Sequence, residues 1–124
     1  MDLSQFQWKN RLLLLFVPDA SAQEYIDQWD ALHQRWAAIV ERDLLVISVF
    51  EEDGGDLDGE EISEDEADTL RQRFRIKPGW AATVLVGKDG TQKQSYPMPA
   101  KLDQVFALID SMPMRQREQR EDED

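Results

Sequence analysis

The chain has 124 residues, with 26 Asp and Glu against 14 Lys and Arg, one His and no Cys, and a formal net charge of −12. That length suits one domain with a real core, and the missing thiols exclude a disulfide framework, a Cys-zinc site, a CxxC redox pair and a thiol nucleophile. The lone His33 cannot build a multi-histidine metal centre, and so acidic a chain repels a phosphate backbone, which argues against nucleic acid as a partner.

At the start, Lys9-Asn10-Arg11, the run Leu12 to Val17 and Ala20-Ser21-Ala22 imitate a signal peptide. The apolar run is short of the roughly 7 to 15 residues such a region needs and ends at Pro18. It reads instead as a buried strand, Arg11 to Val17, and Asp43 to Phe50 reads the same way, because strands covered on both faces are almost continuously apolar. Between them Tyr25, Trp29, Leu32, Trp36 and Val40 recur at helical spacing, which predicts one helix over 22–42 and a βαβ unit. Trp29 and Trp36 are read as core on that stripe, with His33 half-buried beside it.

The stretch Glu51 to Asp68 carries eleven acids and no Lys or Arg, so the rest of the chain is almost neutral at 15 acids against 14 bases. It reads as a solvated loop running into a second helix, where Ser63 and Glu66 form a capping box and the first-turn acids suit the helix dipole. Ala82 to Gly87 and Thr91 to Tyr96 read as a hairpin turning at Lys88-Asp89-Gly90, with Gly90 left-handed. A last helix runs from about Lys101 to Met112 and stops at Pro113. The domain is thus set at 1–113, and 114–124 is expected to be a charged, frayed tail. The order βαβαββα predicts a thioredoxin-like α/β fold, a four-stranded mixed sheet in the order 2-1-3-4 flanked by three helices.

In such a fold chemistry belongs at the turn after the first strand, here Pro18 to Glu24. Ser21-x-x-Glu24 reads as a capping box, and Ser21 has no evident base to activate it. A non-thiol active site joining Asp19 or Ser21 to Lys77 or another basic group is the enzymatic alternative. The cis-proline expected just before the third strand is missing, since Ala82 precedes Thr83 and Pro78 lies four residues earlier. The acids invite a calcium reading, but with Gly59 at the sixth position of an EF-hand loop, the first is Gly54, the eighth Glu61 and the twelfth Asp65, and the motif fails. Asp53, Asp56, Asp58 and Glu60 are left as candidates for weak divalent-cation binding. Trp8 and Trp80 fall outside regular elements and are candidates for an exposed contact patch. Arg115, Arg117 and Arg120 could fold back onto acids or meet an acidic partner. No cofactor motif is present, the oligomeric state is open, and no apolar run reaches the roughly 18 residues of a membrane span. A cytoplasmic location is the expectation, and a periplasmic or secreted one follows if a signal peptide preceded this sequence.

Trp8-Lys9-Asn10-Arg11, Glu41-Arg42-Asp43-Leu44, Gly87-Lys88-Asp89-Gly90 and Leu108 to Glu118, with its Met-Pro-Met-Arg-Gln-Arg string, resemble the family known as domain of unknown function 4174. The resemblance implies a thioredoxin-like fold related to peroxiredoxins, and a domain that also occurs in extracellular sushi-repeat proteins. It implies no activity or catalytic residue. Peroxiredoxins would place a cysteine after a strand resembling Phe16-Val17-Pro18, and this chain has none. The resemblance leaves two roles for Met112 to Glu118: an interaction element, or Met112 and Met114 packed on the sheet edge while Arg115 and Arg117 pair with acids. The leading expectation is a redox-inactive interaction module for an unknown protein partner.

Overall fold

The first strand sets the architecture, because every residue of β1 (Arg11–Phe16) is buried. Its side chains alternate between two cores, Leu13 and Leu15 on one face and Leu12, Leu14 and Phe16 on the other, as the pleat requires. The computed structural model describes residues 2–123. Parallel to β1 lies β2 (Leu44–Val49), in register from Arg11 opposite Leu44 to Phe16 opposite Val49. On the other side β5 (Ala82–Val86) runs antiparallel, followed by β6 (Gln92–Pro97).

These four strands take the expected 2-1-3-4 order, but the sheet has six strands among the described residues. A hairpin of β3 (Gly55–Leu57) and β4 (Glu60–Ile62) extends it beyond β2, giving β4-β3-β2-β1-β5-β6. The acidic stretch read as a loop therefore contains two short strands, turning at Asp58 and Gly59, both at positive φ (49° and 89°).

Among the described residues there are five α-helices rather than three. The expected 22–42 helix is two, α1 (Gln23–Gln34) and α2 (Trp36–Glu41), joined at Arg35. The Arg35 side chain is held on α4 (Leu102–Asp110) by Asp103 at 2.8 Å and lies over the Phe106 ring. With α4, α1 and α2 cover the Leu13 face, and α3 (Glu64–Arg73) covers the Leu14 face with a short 3₁₀ turn over Leu3–Phe6. The capping box of Ser63 and Glu66 is present, and Gly90 is left-handed at φ 83°. Among the described residues, no helix is long and apolar enough to cross a membrane.

Where a frayed tail was expected from Met114, the chain forms α5 (Pro113–Glu123). Its polar sequence has no apolar face to bury, and ion pairs hold it instead. The Arg11 guanidinium, 1% exposed, donates to both carboxylate oxygens of Glu118 at 3.1 and 3.0 Å. Lys88 Nζ donates to Glu118 and Asp43, each at 2.9 Å. Arg115, also 1% exposed, donates to Asp110 and Glu41 at 3.2 Å, and Asp110 accepts two further bonds from Arg42. Arg115 is thus a structural cation and is unavailable as a contact residue, whereas Arg117 is exposed. Met112 packs against the Leu13 core.

Candidate functional site

Asp19, Ser21 and Glu24 of the turn after β1 are exposed, and behind that turn, beneath α1, buried polar side chains are joined by neutral hydrogen bonds. Tyr25 Oη and the fully buried Ser48 Oγ are 2.8 Å apart. Buried Gln28 accepts from Thr83 Oγ1 at 2.8 Å and from the Ala100 amide at 2.6 Å, and its Nε2 donates to the Ala100 carbonyl at 3.3 Å. The one cis peptide bond among the described residues joins Met98 to Pro99, next to this cluster rather than before β5.

Ser21 does not cap α1. The N-cap is Ala22, with no side-chain bond, so the expected Ser21–Glu24 box is replaced by a turn in which the Ser21 amide and hydroxyl both donate to Asp19 Oδ1. Those bonds, the hydroxyl's first, hold the Asp19 carboxyl below its ordinary range, despite a small opposing effect of burial. A carboxylate so stabilised is a poor general base. Lys77 lies over the Trp80 ring, 5.3 Å from its centroid. Among the described residues no cation lies within ion-pair distance of Asp19.

The cation candidates are dispersed. Asp53 lies in the loop before β3, Asp56 on β3, Asp58 in the hairpin turn and Glu60 on β4. Asp56 Oδ2 accepts the Gly59 amide at 3.2 Å. Among the described residues no three acidic or histidine side chains form a group that could hold a metal ion. Trp8 and Trp80 are 62% and 50% exposed. They do not form one patch, since Trp8 precedes the start of β1 while Trp80 precedes Ala82, which pairs with the last residue of β1.

The surface feature that sequence reasoning missed lies on α1 and α2. Gln28, Leu32 and Ile39 are the fully buried positions, and the far end of the stripe read as core turns outward: Trp36 is 39% exposed, Val40 60%, and His33 is also exposed. Trp29 is only partly covered, with its ring stacked on Trp36 at 6.1 Å between centroids and 5.2 Å from His33. Tyr25 and Phe50 continue the aromatic row edge-to-face. Trp29, His33, Trp36 and Val40 form one wall of a groove of about 600 Å³, β2 residues 44–46 form its floor, and Asp56, Asp58 and Gly59 of the hairpin form the other wall. No spacing signal could have found it, because Trp36, Ile39 and Val40 stand at i, i+3 and i+4 and share one helical face with Leu32.

The fold matches solved structures at low identity. Reduced 2-Cys peroxiredoxin from Plasmodium vivax superposes with a TM-score of 0.68 at 16% identity, over 94% of this chain and 85% of that one. The exposed lipoprotein thioredoxin Etrx1 of Streptococcus pneumoniae gives 0.59 at 11% identity, over 89% and 90%. Both likenesses concern the fold alone. In sequence the chain is similar to coiled-coil domain-containing protein 80 of Danio rerio, 32% identical over 94% of this chain and 15% of that protein. It is also similar to the sushi repeat-containing protein SRPX2 of Xenopus laevis and of Homo sapiens, each 28% identical, over 94% and 87% of this chain and 26% and 24% of theirs. The chain thus spans about a quarter or less of the curated relatives it matches. Residues 2–118 match the family described as Domain of unknown function (DUF4174), and the chain belongs to that family.

Proposed function

We propose that this domain is a protein-binding module that works without a thiol, and that its contact surface is the groove between Trp29, Trp36 and Val40 and the acidic hairpin. The observation that carries this reading is the exposed aromatic wall. Tryptophans are costly to leave in water and are the residues that most often anchor protein contacts. The domain's small share of its longer relatives agrees with a module role. The turn where a thiol relative would react holds Ser21 bonded to Asp19, and behind it Tyr25, Ser48, Gln28 and Thr83 have their polar atoms paired. No observation favours non-thiol catalysis at Pro18 to Glu24 or cation binding at the hairpin.

Selection of a displayed library of twelve-residue peptides against the folded domain tests this. Enriched peptides should bind at least tenfold more weakly to Val40→Arg, which fills the groove, and unchanged to Trp80→Ala on the far end of the sheet. A selection that enriches nothing, or peptides indifferent to Val40→Arg, would overturn the assignment.

A further inference from the structure

The groove floor is an incomplete sheet edge. The ladder between β2 and β3 covers only Ile47 to Val49, leaving residues 44–46 of β2 without a strand on that side. The Phe50 amide donates to Gly54 on the β3 side, whereas the carbonyls of Asp43 and Val49 accept from Arg11 and Val17 on the β1 side. Backbone direction alternates along a strand. Leu44 and Val46 therefore aim their N–H and C=O groups away from β1, into the groove. An unpaired edge of this kind is a template for an added strand.

The walls define what that strand carries. Residues opposite one another in a sheet share a face, so Asp56, opposite Ser48, lies on the same face as Leu44, Val46 and the α1–α2 aromatic wall. Asp58 follows in the turn and, like Asp56, lines the groove. One end of the open edge thus sits between carboxylates and tryptophan rings, which suits a cation. At the other end Leu44 and Val40 present apolar surface, with Asn10 at the rim and the Asp43 carboxylate already bonded to Lys88. A second copy of the chain is disfavoured as the occupant, because the eleven acids of residues 51–68 would face eleven more.

We propose, resting on the groove reading above, that the occupant is an extended segment of a partner protein that adds to β2 antiparallel, in line with β3. It carries a Lys or Arg near Asp58 and, two residues further on, an apolar side chain against Trp36 and Val40. The order follows from direction: an antiparallel strand passes Val46 before Leu44, so the pattern is basic, any residue, apolar. The backbone bonds give affinity and the alternate side chains give selectivity, as in other strand-addition complexes.

The probe is an eight-residue peptide, Thr-Thr-Lys-Thr-Val-Thr-Thr-Gly with blocked ends, titrated into the isotopically labelled protein and followed by amide and indole NMR signals. Saturable shifts are expected at the Leu44 and Val46 amides and the Trp29 and Trp36 indoles, with amide exchange at 44 and 46 slowed at least tenfold. Asp56→Asn with Asp58→Asn should weaken binding about tenfold, and Asn suits the left-handed turn position at 58. A peptide with Lys and Val exchanged, one with Glu for Lys, and one N-methylated on its backbone should each bind at least tenfold more weakly. No shift with the first peptide, equal binding of the Glu peptide, or unchanged exchange at 44 and 46 overturns the proposal. Peptides from the library that need Val40 but do none of this leave the groove assignment intact and remove strand addition alone.

Discussion

Replacing Glu118 with Gln removes one negative charge from the contact that holds α5 to the start of β1 while keeping the side chain's shape. Arg11 is 1% exposed and Lys88 is 8% exposed, and both donate to this carboxylate. Removing one partner of a buried pair costs about 3–5 kcal/mol when the remaining charge is stranded. Here the loss is smaller, since Arg11 keeps the Arg42 carbonyl at 3.0 Å, Lys88 keeps Asp43 at 2.9 Å, and Glu118 is itself 23% exposed. A destabilisation of about 2–3 kcal/mol follows, or a fall in Tm of roughly 10 °C for a domain of this size. Urea unfolding followed by tryptophan fluorescence should show a lower midpoint at unchanged slope. Arg117→Gln, on the exposed side of the same helix, should stay within about 0.5 kcal/mol of wild type.

The same substitution has a pH signature. Burial raises the Glu118 pKa, but the hydrogen bonds and charges of Arg11 and Lys88 outweigh it and leave the carboxyl below its ordinary value of 4.5. A depressed folded pKa stabilises fully above the unfolded value, and that contribution disappears as pH falls through the folded one. Wild type should therefore lose stability below about pH 4.5 more steeply than Glu118→Gln. Equal midpoints for Glu118→Gln and Arg117→Gln, or parallel acid profiles for Glu118→Gln and wild type, would refute the view that these ion pairs hold α5.

Tyr25→Phe should cost about 1–2 kcal/mol by leaving the buried Ser48 hydroxyl unpaired, and adding Ser48→Ala should restore most of it; a single substitution without effect in urea unfolding would count against the pairing. Gly54→Ala should cost more than about 3 kcal/mol, because at φ 72° its Cβ would collide with the Ile62 carbonyl, whereas Gly59→Ala, at φ 89° in open space, should cost only about 1–2 kcal/mol. Midpoints that rank the two glycines the other way would refute this account of the hairpin.

What could be read from residues was what local chemistry dictates. The unbroken apolar runs at Leu12 and Leu44, the Ser63–Glu66 box and the Gly90 turn each carry their signal within a few positions. The β3–β4 hairpin did not, because its six residues offer only Leu57 and Ile62 as apolar positions, too few to show a period against eleven acids. Helix α5 was illegible for a different reason. Its stabilising partners, Arg11, Glu41 and Lys88, are remote in sequence, and a helix anchored by charge has no apolar stripe to announce it. The groove was hidden because Trp36 and Val40 lie on the flank of the face centred on Leu32 and Ile39, where apolar spacing alone does not separate core from surface.

The contact between Arg11 and Glu118 joins residues 107 positions apart. The start of the first strand and the middle of the last helix therefore meet at one pole of the sheet. That clasp can close only after residue 118 has emerged from synthesis, so the sheet's first strand stays unclasped until nearly the whole fold is made.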